Sequence, residues 1–222
     1  MTSTSIVIPV YDNWEGCHAL LFDLYKNCSL IEEVIIVNDA SPSPEVMKGL
    51  GWWQSTNMLP IHIIDLKDNL GFLRASNLGL KEAVEEVVCL ISTDVRVRGD
   101  LIKSLHVLDT MSYNWLAGGR MYDTSTGWND FDGRVFKYLE GWVLATRNTA
   151  WKDLGYFDER YVPCDFEDID LSTTALSKDY VLHSLELDCP LEHGGGHSIK
   201  YGEEREKTTK LNQRKFKEKW IR

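Results

Sequence analysis

Apolar residues in the first half of the chain fall into short, β-branched runs separated by longer stretches with helical spacing. Ser5-Ile-Val-Ile-Pro-Val10, Val34-Ile-Ile-Val37, Ile61-His-Ile-Ile64 and Val87-Val-Cys-Leu-Ile91 read as buried strands. Between them, residues 14–27 carry Ala19, Leu20, Phe22 and Leu24 at helical spacing, Pro44 to about Ser55 is a weaker helix, and Phe72 to Glu86 is a good one. A further helix fits Gly99 to Met111. This alternation predicts a parallel sheet with helices on both faces, whose ligand site lies beyond the carboxyl ends of the strands. Four polar clusters fall there: Tyr11-Asp12-Asn13, Asn38-Asp39, Asp68-Asn69 and Ser92-Thr93-Asp94.

Beyond residue 112 the pattern changes. Trp115 to Met121 is strand-like, Tyr122 to Arg134 is a Gly/Asp/Ser/Thr-rich loop containing Gly127, and Val135 to Arg147 holds one or two strands. Phe166 to Leu176 predicts a helix with its acids in the first turn, where they suit the helix dipole. Val181 to Leu187 is strand-like, Gly194-Gly-Gly196 is a loop, and residues 203–220 form a basic helix candidate. With no internal repeat and no long linker, residues 1–222 predict one domain. It divides into a regular part (about 1–112), a more irregular part (about 113–202) and the basic helix (about 203–222).

Composition narrows the class. At 43% apolar and 26% charged over 222 residues, the chain reads as a soluble globular protein able to bury a sizeable core. No run approaches the roughly 18 apolar residues of a membrane span, and neither a basic n-region nor a long apolar h-region opens the chain. The expectation is a cytoplasmic protein. Net charge is −10, unevenly spread: from Arg205 to Arg222 there are eight basic residues and two acidic ones, so the first 204 residues carry −16. An acidic body argues against broad nucleic-acid binding, while the basic tail leaves local contact with nucleic acid or an anionic membrane surface open. The five cysteines form no C-x-x-C pair and read as reduced thiols, not as a disulfide frame or zinc site.

The loop after the first strand lacks G-x-G-x-x-G, and neither a G-x-x-x-x-G-K-[ST] loop nor a G-x-S-x-G elbow occurs, which removes the usual dinucleotide, P-loop and hydrolase readings. What remains is a sheet rimmed with carboxylates and amides. Five segments, Ser5–Tyr11, Val37-Asn-Asp-Ala-Ser41, Asn69-Leu-Gly-Phe72 through Asn77-Leu-Gly-Leu80, Gly155-Tyr-Phe-Asp-Glu159 and Phe166-Glu-Asp-Ile-Asp170, occur in order. In that order the chain resembles family 2 glycosyltransferases, closest to the rhamnosyltransferase-like branch, and the resemblance extends to Phe216-Lys-Glu-Lys-Trp220. It implies a GT-A fold, a Rossmann-like, mostly parallel sheet flanked by helices. It also implies a nucleotide-binding first half and an acceptor-side second half.

The resemblance implies roles as well. Pro9, Tyr11, Asp39, Asn69, Gly71, Arg74 and Thr93 would bind the nucleotide, with Asp39 accepting the imide N–H of uracil or thymine and Tyr11 lying against the base. Asp39 also reads as a turn cap, and Arg74 reads equally as a phosphate fork or as part of a solvated helix face. Ser92-Thr93-Asp94 falls where the fold carries D-x-D, with Ser92 replacing the first carboxylate. Asp94 and His193 would hold a divalent manganese or magnesium ion, with His197 the nearby competitor. Asp168 would be the catalytic base, its pKa raised by Glu167, with Asp170 the rival; helix-dipole complementation is the plain alternative for these acids. Gly141 and Trp142 would face the acceptor or the sugar, Trp142 by stacking. The implied activity is inverting transfer from a UDP- or dTDP-sugar to a hydroxyl of a polysaccharide, a lipid-linked glycan or a modified nucleic-acid base. A catalytically silent nucleotide-sugar-binding module is the alternative reading; a nucleotidyltransferase would need an N-terminal Gly-rich phosphate loop that is not seen.

Overall fold

The computed structural model describes residues 2–126, 131–194 and 202–221. Its first half runs β1 (Thr4–Val10), α1 (Trp14–Asn27), β2 (Glu33–Asn38), α2 (Pro44–Thr56), β3 (Ile61–Asp65), α3 (Phe72–Glu82), β4 (Val87–Ile91), β5 (Val95–Val97) and α4 (Leu101–Asp109). The second half contains β6 (Trp115–Gly118), β7 (Met121–Asp123), β8 (Lys137–Leu139), β9 (Val143–Arg147), α5 (Asn148–Leu154), α6 (Glu167–Ser177), β10 (Val181–Ser184), β11 (Leu191–His193) and α7 (Glu203–Trp220).

A seven-stranded sheet in the order β10-β6-β9-β4-β1-β2-β3 forms the centre. β1 pairs in parallel with both β2 and β4, and β2 with β3; β9 enters antiparallel between β4 and β6. Because side chains alternate along a strand, successive residues of β1 feed two cores. Ile6 and Ile8 pack with Leu20, Leu24 and Trp53 on one face, while Val7 packs with Leu73, Leu80 and Val88 on the other. The second face permits a close approach by α3 through Gly79, where a Cβ would stand 2.5 Å from Val7. Two short ribbons, β5–β11 and β7–β8, flank the sheet.

The departures from the sequence expectation have local causes. α3 stops at Glu82, not Glu86, because the next residues are drawn out toward β4: the Glu85 amide donates to Ser5 and the Asn148 side-chain amide holds the carbonyls of Ala83 and Glu85. The expected strand over 115–121 breaks at Gly118-Gly119, where the Trp142 ring occupies the place of a Gly119 side chain. Helix α5 was not foreseen; it is one short segment ended by left-handed Gly155 (φ 83°). The strand expected over 181–187 ends at Ser184 and continues as a 3-10 turn.

The basic C-terminal helix is docked, not merely solvated. Thr209, Asn212 and Phe216 are buried, the Asn212 amide donates to the carbonyls of Tyr161 and Cys164 (2.7 Å each), and Phe216 packs among Phe131, Phe136 and Phe166. Several of its cations are paired within the protein, Arg205 with Asp165 and Lys219 with Asp170 among them. All five cysteines are free thiols. Among the described residues no helix is long and apolar enough to cross a membrane.

Candidate active site

The carboxyl ends of β1, β2 and β4 open onto a cleft of about 620 Å³. Pro9, Tyr11, Asp39, Asn69, Gly71, Thr93 and Asp94 line it, and so do Gly141, Trp142, Glu167, Asp168 and His193. Residues from seven separate segments of the chain thus meet at one place, as the sheet rule requires.

The wall expected to take the nucleotide is held by side chain to backbone bonds. Asp39 is buried, and its two carboxylate oxygens accept the amides of Leu70 (2.6 Å) and Gly71 (2.9 Å). Its first task is therefore to hold the 69–71 loop, where Gly71 (φ 82°) adopts a backbone conformation that other residues resist; it is not the cap of its own turn. Asn69 adds a third bond to the Gly71 amide (3.0 Å). Asn13 caps α1 and donates to the Thr93 hydroxyl (3.0 Å), tying the first loop to the fourth. Tyr11 stands 48% exposed at the rim. Arg74 is not in the cleft lining: it lies on the exposed side of α3 and pairs with Glu159 at 3.3 Å. The solvated-face alternative describes it.

Asp94 precedes β5, and His193 ends β11. Antiparallel pairing of these strands sets His193 opposite Val95 and brings His193 Nε2 to 3.3 Å from Asp94 Oδ2. Adjacent ligands of an octahedral cation at roughly 2.1 Å lie about 3 Å apart, so this separation suits two neighbouring coordination positions. Among the described residues no group of three His, Cys, Asp or Glu side chains converges on a metal position, so the remaining ligands would come from elsewhere, such as diphosphate oxygens. Trp142 is not a free platform for a sugar. It is 6% exposed, stacks on the His193 imidazole (centroids 5.0 Å, 13° between planes) and donates its indole N–H to Glu140 (2.8 Å).

The opposite wall depends on an unusual backbone. Asp165 (φ 70°) and Phe166 (φ 79°) are both left-handed, a conformation that costs free energy in non-glycine residues and needs support. Arg205 supplies it through a 2.8 Å ion pair to Asp165, which also accepts the Thr209 hydroxyl. The reversal starts α6 at Glu167 and turns Glu167 and Asp168 into the cleft. Asp168 accepts the amides of Ile169 (2.8 Å) and Gly141; a Cβ at Gly141 would crowd Asp168 at 3.2 Å. Burial pushes the pKa of Asp168 upward against these hydrogen bonds. Glu167 is raised too, by burial first and the Asp168 charge second, and its Oε2 is buried with no hydrogen-bond partner among the described residues.

Asp170 is not a rival base. It is 3% exposed and accepts from Lys219 (2.7 Å), Trp220 (2.7 Å) and Tyr161 (3.1 Å), anchoring the end of α7. His197 and Gly127 lie outside the described residues, as do Gly195, Gly196 and Arg222. Sequence reasoning missed Tyr138, Asp165 and Arg205 in the cleft lining. Arg205 had been counted only as tail charge. The strand expected within Val135 to Arg147 was the available signal for Tyr138.

Residues 5–152 match the family described as Glycosyl transferase family 2. The uncharacterized glycosyltransferase YwdF of Bacillus subtilis (strain 168) is 36% identical over 90 residues, 40% of this chain and 32% of that protein. The mannosyltransferase PcManGT from Pyrobaculum calidifontis, solved with GDP-Man and Mn2+, superposes with a TM-score of 0.63 at 17% identity, over 82% of this chain and 54% of that one. TarS 1–349 of S. aureus, solved with UDP-GlcNAc, superposes with a TM-score of 0.64 at 17% identity, over 97% of this chain and 66% of that one. The chain spans about a third of the length of the curated relatives it matches. The structural likeness shows the fold, which is GT-A.

Proposed function

The chain belongs to glycosyl transferase family 2, and on that footing we propose that it is an inverting glycosyltransferase moving a sugar from a UDP- or dTDP-sugar to an acceptor hydroxyl. The observation that carries this reading is the convergence of the Asp94–His193 pair and the buried Asp168 on one cleft at the strand ends.

The nucleotide lies along the donor-side wall, its base against Tyr11 and the Asp39-anchored 69–71 loop. Asp39 keeps lone pairs for an imide N–H while holding the two amides. Asp94 and His193 would hold a divalent cation, manganese or magnesium, which supplies neutralisation of the charge on the departing diphosphate. Arg205, also at the cleft, is matched by Asp165 and braces the opposite wall.

Asp168, deprotonated, takes the proton of the attacking hydroxyl. The acceptor oxygen bonds to the anomeric carbon as the bond from that carbon to the phosphate oxygen breaks, and the nucleoside diphosphate leaves from the opposite face. The raised pKa places Asp168 nearer the working pH, where a general base is most effective. Glu167, raised further by its neighbour, keeps its proton, so the pair carries one negative charge rather than two.

A silent binding module is the second reading, favoured by Ser92 at the first D-x-D position and by the two-donor set. A panel of UDP-, dTDP- and GDP-sugars with manganese separates the two by release of nucleoside diphosphate. Turnover with a pyrimidine donor, lost in excess chelator, is expected. Donor binding by thermal shift without any release favours the silent module.

A further inference from the structure

We infer that Tyr122 and Tyr138 form a saccharide-binding subsite beside the catalytic acids, so that the acceptor is a glycan and not a nucleic acid; this rests on the reading of the chain as a glycosyltransferase. With Trp142 committed to His193, these two tyrosines form an accessible aromatic pair on the acceptor side among the described residues.

They are cross-strand partners in the β7–β8 ribbon, and residues directly opposite each other share a face. Tyr138 lines the cleft, and Tyr122, its partner on the same face of the ribbon, stands beside it outside the lining. The rings lie 6.2 Å apart, tilted by 34°, with Tyr122 39% exposed. An exposed ring usually costs conformational freedom when it binds, but this one leans on Tyr138, and Arg120, two positions before it, is held by both oxygens of Glu186 (2.8 and 2.9 Å). Burial, with the charges of Asp168 and Glu140, pushes the Tyr138 phenol up to about 12. It therefore stays protonated and can donate to a sugar hydroxyl.

The chemistry of the rim selects the ligand. Flat apolar ring faces beside carboxylates suit a pyranose, which offers C–H faces for packing and hydroxyls for hydrogen bonds. A nucleic acid needs cations for its phosphates, whereas Glu140 and Asp168 line this part of the cleft and Arg205, which lines it too, is matched by Asp165. In the basic helix, Arg205, Lys207, Lys210 and Lys219 already pair with carboxylates of the chain.

The test uses p-nitrophenyl glycosides of glucose, galactose, mannose and N-acetylglucosamine as acceptor probes, with the accepted donor and manganese. Tyr122→Ala should raise the KM for the best glycoside roughly five- to tenfold, and Tyr122→Phe should stay within about twofold because the ring face remains. Binding of UDP with manganese by Tyr122→Ala at near wild-type affinity shows that the cleft is intact. An unchanged glycoside KM in Tyr122→Ala overturns the subsite. So does wild-type enzyme that hydrolyses donor and glycosylates a hydroxymethylated DNA duplex but none of the glycosides. Absence of donor hydrolysis in the wild type sinks the glycosyltransferase reading itself, a separate outcome.

Discussion

The two walls of the cleft are built in different ways. On the donor side, each contributing segment follows the end of a strand, and the fixing bonds are between neighbouring loops: Asp39 to the 69–71 loop, Asn13 to Thr93. On the acid side, Glu167 and Asp168 sit behind two left-handed residues that depend on α7, whose partners Arg205 and Trp220 lie 40 and 50 positions from the groups they hold. The first wall is a property of the sheet. The second exists only once the C-terminal helix has docked. Damage on the donor side should therefore appear as lost affinity, and damage on the acid side as lost turnover or lost stability.

The largest effect expected is at Asp168. Asp168→Asn removes the proposed base and should lower turnover by about three orders of magnitude while UDP affinity, measured by calorimetry, stays close to wild type. Turnover near wild type would remove Asp168 from the chemistry.

Next comes Asp170→Ala, which strips a buried carboxylate from Lys219, Trp220 and Tyr161. The expected cost is about 3 kcal/mol, read by urea denaturation. A loss below about 0.5 kcal/mol, the size of a typical surface substitution, would mean that α7 is not an anchor of the acid wall.

Asp39→Ala tests the donor side. Releasing the Leu70 and Gly71 amides should weaken UDP binding about tenfold, equivalent to about 1.4 kcal/mol, with little change in the denaturation midpoint. A large stability loss with unaltered affinity would erase the contrast between the walls.

The smallest effect concerns pH. Glu167 and Asp168 bind protons more tightly in the folded protein than in the unfolded chain. Their contribution to stability is thus complete below the ordinary carboxylate pKa and declines as pH rises through the elevated folded values. Glu167→Gln removes part of that decline. Its Tm relative to wild type should increase by about 2–4 °C between pH 5 and pH 8, and a difference flat with pH contradicts the assignment.

The same contrast explains what could be read from the sequence. β1 to β4 and the polar clusters after them were legible because strand periodicity and loop chemistry are local. The docking of α7 was not, because its buried face is only Thr209, Asn212 and Phe216 within a strongly charged helix. Trp142 lines the cleft, but the ring face expected to be free for a sugar stacks on His193. Arg74 was drawn inward by its chemistry, while the structure gives it Glu159, a partner 85 positions away that no local pattern announces.

The central claim is a single displacement assisted by Asp168, and the stereochemistry of the product tests it most directly. With water standing in for the acceptor, the sugar released from an α-linked sugar nucleotide can be followed by proton NMR before it equilibrates between anomers. The account predicts that the β anomer forms first; initial formation of the α anomer would contradict it.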